Sequence, residues 1–419
     1  MKSLRKPMAA AVLVLASMAL LGYKVVIPFL ADRHYKRGLE LQRSGATTLL
    51  AVEEFTKAID LMPSRPEFYI QRGRLMRGLD GIQQAIADYS QALKLDPSNA
   101  ELLLDRATLL RLDGQLDLAM ADLNDLIARC DTCPTSATAL YQRGLVMAAM
   151  GRYAEAIADY DRSIELDAEN PETRYSRGEL RASIDDFVGA IADYDQPIAA
   201  GAASPERYRQ RGWFKLRIKD YSGAVNDLER ARRGLPNDSE LLQLLGSAYA
   251  NTNRPQQALE ALDAAIAANP SLALAHGERG GVMLRLGRYA EARASFGRAI
   301  ELNPSSASAH MGRGLAKAMA GDQRGAVADF SRAIGIDPEL VQAYFNRGVA
   351  YAALEDFDRA IADYSAALRR SPAYAEAHYA RGLAYINLHR MADGCADLTR
   401  AKALGYKPAE QMLAIYCGG

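Results

Sequence analysis

Arginine and aspartate recur along the chain at one fixed spacing: Arg72 with Asp88, Arg106 with Asp122, Arg143 with Asp159, Arg177 with Asp193, Arg211 with Asp227, Arg313 with Asp329, Arg347 with Asp363 and Arg381 with Asp397. The aspartates sit in a recurrent pentapeptide, AIADY at 85–89, 156–160, 190–194 and 360–364, with AVADF at 326–330. Charged groups on an otherwise apolar helix face are what a catalytic site would need, but their repetition in one phase argues for scaffold. Where the arginine is missing, at Leu245, the acid is missing too, at Ala261. The two columns therefore vary together, as an ion pair does. Arg37 is expected on Glu54, and only Arg279, facing Ser295, departs from the rule. Removing one member of a semi-buried pair strands the other at a cost of about 3–5 kcal/mol, so both columns are read as structural.

The histidines give no better case for catalysis. His34, His276, His310 and His378 occupy the place four residues before a recurrent glycine, where other segments put Tyr69, Tyr208 and Tyr344, and His389 falls in a turn. No Ser/His/Asp grouping, phosphate-cradling glycine loop or close pair of unpaired carboxylates is present in the sequence. The expectation is no enzyme, no catalytic residue, no metal and no cofactor. With Lys plus Arg and Asp plus Glu both at 51, no net field draws in nucleic acid, and no small-molecule substrate is expected.

The composition is that of helices: Ala, Leu, Arg, Glu and Asp recur at helical spacing, and only 7% of residues are aromatic. The amino end reads differently. Lys2, Arg5 and Lys6 precede a run from Met8 to Leu30 whose only charge is Lys24. As a helix that run would span about 35 Å, against roughly 30 Å of hydrocarbon, so residues 1–30 are expected to be a cytoplasmic basic end and an uncleaved signal-anchor. The rival is a signal peptide cleaved after Ser17-Met18-Ala19. The flanking charges place everything after Leu30 across an inner membrane, in the periplasm. In an exported chain four cysteines suggest two disulfides, from Cys130 with Cys133 and from Cys395 with Cys417. A zinc or redox role for the C-x-x-C lacks the further ligands or the preceding strand it would need.

Internal repetition organises the rest. The glycine of a recurrent RG pair stands at 38, 73, 144, 178, 212, 246, 280, 314, 348 and 382, with Ala107 filling the gap, mostly at intervals of 34 residues. An alanine lies twelve residues beyond each marker from Ala85 to Ala360. Pro97, Pro236, Pro270, Pro304, Pro338 and Pro372 lie twenty-four beyond theirs. Two amphipathic stretches joined by a polar turn fill each interval, so each unit is a helical hairpin. The period and columns resemble the tetratricopeptide repeat, over about residues 31–408 in eleven units. The resemblance implies an all-α, right-handed superhelical solenoid. Extra residues before Ala51 and in ARCDTCPTSAT, and Pro197 inside a helix, should bend it. YKPAEQMLAIYC looks like a capping helix, placed at 409–419.

In this family the first helix of each hairpin lines a concave groove, and the resemblance assigns to it Tyr35, Tyr141, Tyr175, Arg209, Phe345 and Tyr379, three residues before the marker. Leu145, Trp213, Leu315, Val349 and Leu383, one after it, join them. Glu67, Glu101, Glu172, Glu206, Glu240 and Glu376 would form an acidic rim. The partner-binding expectation rests on Tyr141, Tyr175, Arg209, Trp213, Phe345, Val349, Tyr379 and Leu383, with Trp213 and Arg209 at its centre. The function expected is a membrane-anchored scaffold gripping proteins or extended peptides. Two other readings stand beside it: a regulatory or assembly subunit of an envelope enzyme such as a glycosyltransferase or protease, and a cytoplasm-facing membrane assembly factor.

Overall fold

The computed structural model describes residues 22–44, 48–129, 134–201 and 203–418. Among these, 23 α-helices come after a π-helical turn at Gly22–Val26, and no strand occurs. They form eleven antiparallel hairpins, from Ile27–Arg43 with Thr48–Leu61 to Ala375–Asn387 with Met391–Ala403, and a last helix, Pro408–Tyr416. The chain divides into two compact units, up to Pro197 and from Ile198 onward, and the division falls inside the helix Phe187–Ala199 at its interior proline.

The expectation of a transmembrane helix at 8–30, and of a single-pass inner-membrane protein, is corrected. No described helix is long and apolar enough to cross a membrane. Residues 1–21 lie outside the described residues. The first described α-helix, the 17-residue Ile27–Arg43, carries Asp32, Arg33, Lys36, Arg37 and Glu40 on successive turns. Such a helix cannot sit in hydrocarbon without burying several charges.

Each hairpin is punctuated by local chemistry. Asn99, Asp238 and Ser306 cap first helices by accepting from the amides of Leu102, Leu241 and Ala309 at 3.0, 3.0 and 3.2 Å. The turn between the two helices needs one residue at positive φ, supplied by Gly287 at 72° in one hairpin and by His389 at 62° in another. His389 is thus a turn residue. The marker glycine lets the helices close on each other: a Cβ on Gly144 would lie 2.5 Å from the Tyr160 ring, and one on Gly73 2.6 Å from Tyr89. His276, His310 and His378 each place Nε2 at 3.1–3.2 Å from the carbonyl of the proline before their helix, Pro270, Pro304 and Pro372.

The recurrent arginine does more than pair with its aspartate. Arg347 donates through Nε and Nη2 to Asp363 at 2.7 Å each, and through Nη1 to Ser331 Oγ of the preceding hairpin at 2.9 Å. Arg72, Arg106 and Arg381 repeat this with Thr56, Ser90 and Ser365, and Arg143 with Asn124. One guanidinium therefore clamps its own hairpin and ties it to the one before. Two places differ. At Leu245 and Ala261 both partners are apolar and buried. Arg279, which has no aspartate in its own hairpin, reaches back to Asp263 at 2.6 Å and bonds Ser295 Oγ at 2.7 Å. The expected Arg37–Glu54 pair is also corrected: Glu54 is held by His34 Nδ1 at 2.7 Å and Lys57 at 3.0 Å, the extra residue before Ala51 having put the columns out of step.

At the carboxyl end Cys395 and Cys417 are joined as a disulfide with Cα atoms 5.8 Å apart, and the last helix seats Ala409 among Ile386, Leu398 and Ala401. Cys130 and Cys133 lie outside the described residues.

Two outcomes are expected. Asp363→Ala should destabilise its hairpin by up to about 3 kcal/mol, because Arg347 is left half-buried without its carboxylate. Adding Arg347→Leu should recover most of that loss, since the chain already uses Leu245 with Ala261 in those places. Urea unfolding with site-resolved hydrogen exchange checks both, and a double variant no better than the single one would refute the clamp. Cys417→Ser should speed exchange in Ala375–Ala403 and Pro408–Tyr416 alone, an effect of about 3 kcal/mol on the chain-entropy account of a loop this size.

Candidate functional site

The residues of the first-helix face fall into three groups in the structure. Several rings are consumed in packing. Tyr175 is 1% exposed, edge-on to Tyr194 with centroids 4.8 Å apart, so its place in a partner-binding groove is corrected: the ring has no free face. Tyr141 is half-buried, 6.1 Å from Tyr160, with its hydroxyl 3.3 Å from Ser176 Oγ. Phe345 lies between Tyr364 at 5.8 Å and Tyr374 at 5.0 Å, and Tyr379 rests on Tyr406 at 5.0 Å. Leu383 packs toward the capping helix, leaving Val349, 44% exposed, as the open member of the carboxyl-terminal patch.

Arg209 forms the second group. Its Nη1 donates to Asp238 Oδ2 at 2.6 Å, and that same aspartate caps Ser239–Asn251. The guanidinium fastens one hairpin to the next. Of the acidic rim, Glu101 is likewise engaged, by Arg74 Nη2 at 3.0 Å.

The third group is concave. Trp213 is half-buried with the Arg217 guanidinium 5.7 Å from its ring centroid, and it walls a hollow of about 440 Å³ with Arg209, Gln243, Leu244, Leu272 and Leu274. Leu274 also walls a second hollow, of about 300 Å³, with Gly277, Glu278, Phe296, Ala299 and Asn303. Leu274 is itself 58% exposed and stands between the two. Both hollows lie within the unit that begins at Ile198. Of the residues lining these hollows, the sequence singles out Trp213 and Arg209 and does not single out Leu274, Gly277 or Glu278. The signal available was that Gly277 and Gly281 stand at the two places, three before and one after a marker, where other hairpins put Tyr379 and Leu383.

Glu278 is the most perturbed carboxyl of this face. Burial pushes its carboxyl up to about 7, against hydrogen bonds from Gln243 and Ser247 that pull it back down. Its Oε2 has no hydrogen-bond partner among the described residues. Among the described residues, no cluster of three or more His, Cys, Asp or Glu side chains could hold a metal ion.

Profiles of the tetratricopeptide repeat match residues 70–137, 216–277, 278–340 and 341–374, and one described as TPR repeat matches 148–184. The chain belongs to the tetratricopeptide-repeat family. Members of this family bind other proteins or peptides, and the fold is typical of non-enzymatic scaffolds. No curated protein matches the sequence. Among solved structures, MamA is 27% identical over 39% of this chain and 96% of its own, with a TM-score of 0.37. YrrB, described as a TPR protein with an unusual peptide-binding site, is 20% identical over 46% of this chain and 97% of its own, with a TM-score of 0.40. Yeast Tom70 is 14% identical over 92% of this chain and 94% of its own, with a TM-score of 0.41.

The raised Glu278 fixes a sign. A carboxyl whose folded pKa exceeds its unfolded value of about 4.3 contributes stability that is complete in acid and is lost as pH rises from there through about 7. The protein should therefore lose on the order of 2–3 kcal/mol locally between pH 4 and pH 8. Glu278→Gln should remove that slope and be the more stable form at pH 8. Parallel urea titrations of both proteins at the two pH values test this.

Proposed function

We propose that this repeat protein is a scaffold that holds an extended segment of a partner protein against the first-helix face of its second unit, with Trp213 and Leu274 as anchors. The observation that carries the reading is the pair of adjoining hollows that share Leu274. An exposed leucine between two concavities, with the chain's one tryptophan on the far wall, has the make-up of an interface centre: large apolar anchors in pockets, bordered by polar groups. Gln210, Glu240 and Gln243 line the Trp213 hollow and offer donors and acceptors to a peptide backbone. Arg209 serves this site as a strut, since Asp238 already satisfies its charge.

Peptides selected from a random displayed library on the intact protein give the direct test. Selected sequences should bind in the micromolar range, and Trp213→Ala with Leu274→Ser should weaken them about thirtyfold or more, the loss of roughly 2 kcal/mol expected of an anchor. Helicity and melting should stay near the parent's, because neither side chain is fully buried. Undiminished binding by the double variant would move the site elsewhere, and a library that yields no binder would count against peptide capture itself.

A further inference from the structure

The hollow beside Phe296 is a missing side chain. In four other hairpins the residue three before the marker is a ring that packs on the ring at the start of the aspartate's following turn: Tyr35 on Phe55 at 5.7 Å, Tyr141 on Tyr160 at 6.1 Å, Tyr175 on Tyr194 at 4.8 Å and Phe345 on Tyr364 at 5.8 Å. Ile70 and Met311 take that place opposite Tyr89 and Phe330 in two more. In the hairpin Ala273–Arg285 with Tyr289–Leu302 the second ring, Phe296, is present and the first residue is Gly277. The resulting space of about 300 Å³ is lined by the counterparts of what Phe345 touches: Phe296 stands where Tyr364 does, and Ser306 where Tyr374 does. No described residue occupies it; a Cβ on Gly277 would meet only Ala299, at 4.0 Å.

We infer that this hollow is a pocket for one aromatic side chain, that of a tyrosine, carried by the bound partner segment, which completes at Phe296 the ring pair that four other hairpins complete internally. The inference rests on the peptide-holding reading above and names the chemistry of the partner. Apolar cavities of roughly 150 Å³ already take up a benzene ring, so the volume is ample. Offset and tilted ring pairs at these centroid distances are favourable beyond the area they bury. Asn303, Ser306 and Ser308 supply polar groups at the lining for a phenol hydroxyl. Phe296 is held in place from both sides, wedged between Gly280 and Gly312, so the wall is formed before any ligand arrives.

p-Cresol, the tyrosine side chain without its backbone, is the probe. Titrated into the intact protein and followed by the NMR signals of Phe296 and Ala299, it should saturate one site in the millimolar range. Gly277→Tyr, which restores the internal pair, should abolish that binding. Phe296→Leu keeps the fold, since Leu228, Leu262 and Leu398 already stand in that column, and should weaken p-cresol about threefold to tenfold. Trp213→Ala should leave p-cresol binding unchanged while it weakens selected peptides, which separates this pocket from the anchor beside it. Selected peptides should displace p-cresol and lose affinity when their aromatic residue is replaced by alanine. If p-cresol does not bind, or binds Gly277→Tyr or Phe296→Leu as well as the parent, the pocket is overturned whether or not peptides bind at Trp213. If p-cresol binds but peptides do not displace it, or carry leucine or methionine there, the aromatic partner side chain is overturned.

Discussion

A planar guanidinium with three used edges sets the geometry of most of this molecule. Arg347 shows the pattern: two donors on Asp363 hold the hairpin shut, and a third on Ser331 fixes the hairpin before it. The aspartates are nearly buried, so neither charge can be left alone without a penalty of several kcal/mol. Burial alone would push Asp329 up, yet the hydrogen bonds from Arg313 and Lys317 outweigh it and hold its carboxyl below the usual range. The clamp gives orientation more than net stability. Apolar packing between marker glycine and facing ring could tolerate some sliding; a bidentate pair with a third bond to the neighbour cannot, because all three donors lie in one plane.

The places where this clamp is altered coincide with the places that are open. The hairpin with Leu245 and Ala261 has no guanidinium, and the next one has Arg279 turned back to Asp263. Gln243, Leu244, Leu274, Gly277 and Glu278, which line the two hollows, belong to the first helices of these same two hairpins. Outside the first hairpin, where Glu54 is held by His34 and Lys57, the ion-pair rule fails only in this stretch, and local rules that fail together mark a stretch under another demand. Glu278 fits that description. In a hairpin built only for packing, a carboxyl pushed up by burial and short of a partner for Oε2 is a defect, and here it borders a cavity.

The periodic part of this architecture was readable in the sequence because each column has a single steric or electrostatic cause. Glycine at 144 answers the Tyr160 ring, and arginine at 347 answers Asp363. The third edge of the clamp was not seen, because its acceptors, Thr56, Ser90, Asn124 and Ser331, share a hydrogen-bonding function but no single residue type. The site was read less well. Column position says that Tyr175 and Trp213 share a helix face, but burial depends on what stands opposite, and Tyr194 of the same hairpin covers the one while the other borders a hollow. The membrane expectation failed for a related reason. It was a count of apolar letters from Met8 to Leu30, whereas no described helix is long and apolar enough to cross a membrane and Ile27–Arg43 runs on through charged residues.

Helix propensity gives an independent view of the Gly277 region. Ala273–Arg285 contains three glycines, at 277, 280 and 281, each worth roughly 1 kcal/mol less than alanine in a helix interior. Gly280 is required by the fold, for a Cβ there would lie 3.0 Å from the Phe296 ring. Gly281 has nothing within 4 Å of where its Cβ would be, and Gly277 only a van der Waals contact with Ala299. Neither close packing nor the turn explains them, as both sit inside the helix with ordinary helical backbone. Two helix-weakening residues whose missing side chains leave open space on the face beside Leu274 cost the fold stability and return none of it as packing. They leave room instead, between a fixed phenylalanine ring and an exposed leucine, and that room is what the proposed partner side chain would fill.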